Sequence, residues 1–167
     1  MKFGAYYWGD SGKLRQFVEG VSAASVHLEN SYKSGSSIEA VVLSAGIIDA
    51  TLRIGIILKE QAENRNDIVD EKLLHQKDED KVITERKVIS RALRCGLINK
   101  QGSDALNDLY DQRNVCIHRY IISETNYAFI TELAGKYRSA ISKVSEAVNY
   151  AEAKLFELGC GLVKARA

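Results

Sequence analysis

Apolar residues recur at helical spacing through most of this chain. Leu14, Phe17, Val18, Val21, Ser25 and Leu28 mark one buried stripe and predict a helix from about Lys13 to Asn30. The stretch Tyr32-Lys33-Ser34-Gly35-Ser36-Ser37 reads as a turn, and Ser36 with Glu39 has the spacing of a capping box for a second helix reaching about Gln61. That helix is apolar over most of its surface, which makes it the central one. Its Asp49 and Arg53 stand four apart, close enough to pair on one face. Residues 64–83 are polar and charge-rich, with Ile68, Val69, Leu73 and Leu74 as a short apolar cluster, and predict a loose helix followed by a loop.

Thr84 is the cap expected for the next helix, with Ile83 and Val88 as a hydrophobic staple, Val88, Ile89, Ala92 and Leu93 as its apolar face and Gly96 as its stop. Ser103 is the cap expected for a helix carrying Leu106, Leu109 and Tyr110 and ending near His118 to Tyr120. Ser123 or Thr125 then restarts the chain into its longest helix. There Ile130, Ala134, Tyr137, Ile141, Val144, Val148, Ala151, Leu155 and Leu158 follow a strict 4-3-4-3 spacing. This is the seam of a bundle or coiled coil, and spacing alone leaves open whether its partner is internal or a second subunit.

Composition narrows the class. The 167 residues suit one domain, taken as 1–167, with enough chain to bury a real core. There is no proline, where average usage would give about eight, and no strand-like alternation bounded by turns. The expectation is an all-α bundle of about five to six helices with a long C-terminal helix. Cys95, Cys116 and Cys160 form no C-x-x-C pair and fit a reducing, cytoplasmic setting, with Cys116 as buried filler. The N-terminal stretch from Met1 to Asp10 lacks the long apolar run of a signal peptide. Glu39, Asp49 and Arg53 interrupt the apolar run over 38–58, so no membrane association is expected.

Charge is nearly balanced at +1, but unevenly spread. Residues 60–80 hold eight acids and three bases, whereas 81–120 hold eight bases and four acids. No phosphate-binding loop, dinucleotide fingerprint or nucleophile elbow is present, and His27, His75 and His118 lack metal-ligand spacing. Asp78-Glu79-Asp80 reads as a solvated loop. Neither a metal nor a cofactor is expected.

The chemistry concentrates in Arg113-Asn114-Val115-Cys116-Ile117-His118-Arg119-Tyr120, within the basic half. An imidazole that titrates near neutral pH can move a proton while a guanidinium holds phosphate oxygens in a bidentate fork. On a regular helix Arg113 and His118 lie about 140° apart, Asn114 nearly shares a face with His118, and Arg113 nearly shares one with Tyr120. Either the helix ends or bends inside the motif, or one chain holds only half a site. Read structurally instead, these are helix-end cations favoured by the macrodipole, with Arg113 paired to Asp111 or Asp108. In either reading Arg113 and His118 are expected at a helix end, outside the core.

These residues resemble the Arg-x4-6-His signature of the HEPN superfamily. More narrowly they are similar to the R-N-x-x-x-H-x-Y form of HepT-type toxins, with Arg113, Asn114, His118 and Tyr120 filling all four positions. The resemblance covers 103–123 and, loosely, the second helix, where Asp49 and Arg53 would buttress the motif. It implies a homodimer whose two motifs meet in one cleft and a metal-independent endoribonuclease acting on RNA. His118 would be the general base toward the ribose 2′-hydroxyl, Arg113 would stabilise the phosphorane, and Asn114 would position a catalytic group or the phosphate. The products would carry 2′,3′-cyclic phosphate ends. It also implies Tyr120 as an AMP acceptor, modified by a cognate minimal nucleotidyltransferase antitoxin that silences the nuclease. The alternative is a non-catalytic module that binds such a transferase or nucleotides. A third is a helical adaptor acting through the 130–158 seam.

Overall fold

The computed structural model describes residues 12–74, 83–120, 122 and 126–160, and among these it is all helix, turn and coil. The helices are α1 (Gly12–Ser34), α2 (Ser37–Asn64), α3 (Glu85–Arg94), α4 (Lys100–His118) and α5 (Tyr127–Glu157), with a single 3-10 turn at Glu71–Leu73. An all-α bundle with a long C-terminal helix is therefore what the chain forms. The expectations for Met1 to Asp10, His75, Asp78 to Asp80, Ser123 and Thr125 lie outside the described residues.

Every residue from Thr51 to Leu58 is buried, which on a helix means that all faces are covered. α2 is thus the central rod. By length and apolarity it has the character of a membrane-crossing helix, yet most of it is buried within the bundle. The α5 seam packs internally: Ile130, Ala134, Tyr137, Val144, Val148, Ala151 and Leu155 are buried, with Leu133 added. Leu158 caps the helix and stays exposed, and Ile141 is half-buried.

α2 and α5 run parallel, because Ser37 Oγ lies 3.2 Å from Thr131 Oγ1 at one end while Gly55 faces Val148 farther along. A Cβ on Gly55 would stand 2.5 Å from Leu97 Cδ2 and 2.7 Å from Val148 Cγ2, so a side chain there would make Leu97 or Val148 shift where α5 and the α3–α4 connection approach α2. Tyr32 reaches over from α1 to donate its hydroxyl to the Ala134 carbonyl at 2.9 Å.

Several ends differ from the sequence expectation. α1 runs on to Ser34 before Gly35, at φ +73°, turns the chain. Ser36 does precede α2, but at ψ 72° its hydroxyl makes no cap bond and instead lies 3.0 Å from Ser34 Oγ, so the capping box does not form. α2 runs three residues past Gln61, and of the 64–83 segment expected to hold a loose helix, the described part to Leu74 is the end of α2, a left-handed Arg65 and the short 3-10 turn. Thr84 precedes α3 with no side-chain cap bond, and its carbonyl accepts from Lys87 and Val88. Gly96 closes α3 at φ +65°, with the Leu97 N–H returning to Ala92 O at 2.9 Å. Ser103 is not the α4 cap. Asn99 is, accepting from the Gly102 N–H at 2.8 Å, and Ser103 lies buried inside the helix. Asn126 likewise caps α5, accepting from the Phe129 N–H at 2.9 Å.

Candidate functional site

The motif occupies the last two turns of α4, which stays helical to His118. Arg119 ends it at φ −129°, with its N–H bonded to Val115 O. Since no bend intervenes, Arg113 and His118 diverge, as a regular helix requires. The same-face expectation for Arg113 and Tyr120 lapses, because the helix stops two residues before the tyrosine. Leu106, Leu109 and Cys116 anchor α4 to the core. His118 and Tyr120 are exposed, and Asn114 is half-buried one turn before His118 on nearly the same side.

Arg113 turns the other way. Its side chain is 17% exposed, and Nη2 bonds to Glu85 Oε2 in the first turn of α3. It pairs with neither Asp108 nor Asp111: Asp108 accepts from Gln112, and Asp111 pairs with Arg86. The guanidinium carbon sits 4.9 Å from the Tyr110 ring centre, cation–π range. Arg113 is thus half-buried against α3 rather than free at the helix end as expected, because its guanidinium pairs with Glu85, whereas His118 is exposed as expected.

Behind it lies a polar cluster inside an apolar core. Arg53 Nε donates to Asp49 Oδ2 at 2.7 Å, Nη1 to Leu73 O at 2.9 Å and Nη2 to Ile83 O at 2.9 Å. The expected Asp49–Arg53 pair exists, and it also fastens the backbone before α3. Burial raises the Asp49 carboxyl above its usual range, against the pull of Arg53 and then Arg113. Burial raises Glu85 too, with Arg113 opposing and Asp49 adding. Tyr137 of α5 donates to Leu109 O at 2.9 Å, and burial pushes its phenol well up. Asp49, Glu85, Tyr110 and Tyr137 border a cavity of about 20 Å³, roughly the space of one water.

Glu85 and Tyr137 carried no signal as site residues in the sequence. Each lies 28 positions from its partner, and neither Glu85 nor Tyr137 is itself part of the motif. Burial raises the Cys116 thiol, as expected of filler. Among the described residues no three His, Cys, Asp or Glu side chains converge as metal ligands would.

Several large apolar side chains near His118 in the chain are exposed. Ile117, Tyr120, Ile122 and Tyr127 are exposed, Ile122 by 83%. Ile38 and Val42, early in α2, are exposed as well, and Tyr127 at the start of α5 donates its hydroxyl to Gly35 O, just before α2, at 2.5 Å. No protein-family model, curated protein or solved structure matches this chain.

Proposed function

We propose that this chain is a HEPN-like, metal-independent endoribonuclease of the toxin or defence kind, acting as a homodimer. The observation that carries this reading is the exposed His118 at the end of α4, with the exposed apolar Ile117 and Ile122 close to it in the chain. Exposed apolar side chains are what a partner subunit covers, and a second copy over this helix end would bring a second His118 alongside the first. One imidazole then takes the 2′-hydroxyl proton while the other returns a proton to the leaving 5′-oxygen. Arg113 contributes the charge that meets the phosphorane oxygens, and Asn114, beside His118, orients the phosphate. Tyr120, exposed and two residues from His118, is open to a nucleotidyltransferase. An added AMP would put negative charge where RNA phosphate belongs.

The firmly held Arg113 favours a second reading, a binding module without catalysis. Expression in a bacterial host separates the two. The nuclease reading expects growth arrest by the wild type and none by His118→Ala, with dimers in sedimentation. Equal tolerance of both proteins, with a monomer in solution, overturns it in favour of the module.

A further inference from the structure

The residue that holds Arg113 comes from outside the motif. Glu85 and Arg86, successive residues of opposite charge in the first turn of α3, pair with Arg113 and Asp111 on α4. The Tyr110 ring serves both cations, 4.9 Å from the Arg113 guanidinium and 4.8 Å from that of Arg86. The turn is anchored in its own right, since Arg53 bonds the Ile83 carbonyl two residues before Glu85. Beyond the Glu85 bond, Arg113 Nε is buried with no hydrogen-bond partner, and so is Asp49 Oδ1. A guanidinium held by one carboxylate and lying in the field of a second offers a phosphate little net attraction.

Building on the nuclease reading, we propose that Glu85 is a positioning residue that sets substrate affinity. It keeps Arg113 folded in, and a substrate phosphodiester must take its place on the guanidinium. Carboxylate and phosphate suit the same planar fork, so they compete for it. The exchange is accessible because Glu85 is 27% exposed and its ionised form is incompletely compensated where it lies.

The test is binding of a fluorescent 2′-O-methyl RNA oligonucleotide, which lacks the nucleophile, to the full-length protein. Glu85→Gln keeps the size and an acceptor oxygen but removes the charge. It is expected to bind about fivefold or more tighter than wild type, the effect of deleting one nearby like charge. In an Arg113→Gln background the same change is expected to do nothing, because the competition acts through the guanidinium. Weaker or unchanged binding by Glu85→Gln, or no binding by either protein, overturns the proposal, as does equal tightening in the Arg113→Gln background. A merely structural Glu85 would lower the melting temperature and weaken binding together. Cleavage of unmodified RNA is scored separately. Wild-type cleavage with no gain in Glu85→Gln binding rejects the competition and leaves the nuclease. A gain in binding without any cleavage does the reverse.

Discussion

Two motif residues five positions apart have different physical circumstances. Arg113 is half-buried, paired with Glu85 and stacked near Tyr110, so truncating it leaves Glu85 without its ion-pair partner. Arg113→Ala is expected to cost about 1–3 kcal/mol in urea unfolding, the penalty of a broken, partly buried ion pair. His118→Ala, at an exposed helix end, is expected to shift stability by less than about 0.5 kcal/mol. Equal costs would mean that the pairing of Arg113 carries no energy. Gln61 gives an independent check. It is fully buried, and neither Nε2 nor Oε1 has a hydrogen-bond partner. Gln61→Met keeps the shape and is expected to raise stability by about 1–3 kcal/mol. A lower urea midpoint would show that the amide is satisfied in solution.

Among elements, α2 determines the arrangement, and Gly55 is where others come nearest to it. Gly55→Val places a branched side chain against Leu97 and Val148. Overpacking of this kind costs about 1–3 kcal/mol and pushes α5 away. An unchanged melting temperature would show that the contact yields freely. Helix number, the central place of α2 and the α5 seam were legible in the sequence, because a fully apolar helix and a heptad both record what must be covered. Caps were less legible. Ser36 and Thr84 have the right chemistry, but their hydroxyls make no cap bond, and Asn99 took the cap assigned to Ser103. A cap depends on which of several polar side chains finds the free N–H groups, which residue type alone does not decide. Of the site, the motif and the Asp49–Arg53 pair could be read because each is local. Glu85 could not, since its partner lies on another helix.

At the scale of the whole molecule, His118 at the end of α4 and Tyr120 just after it are exposed, while Arg113 is held half-buried against α3. The nuclease account needs nothing from outside except a second copy and RNA. Its most direct test is incubation of purified protein with single-stranded RNA in EDTA, followed by analysis of the fragment ends. The account predicts 2′,3′-cyclic phosphate and 5′-hydroxyl ends, with at least about a hundredfold loss of cleavage in His118→Ala, the scale of general acid–base catalysis. Intact RNA, or cleavage that His118→Ala leaves undiminished, would contradict it.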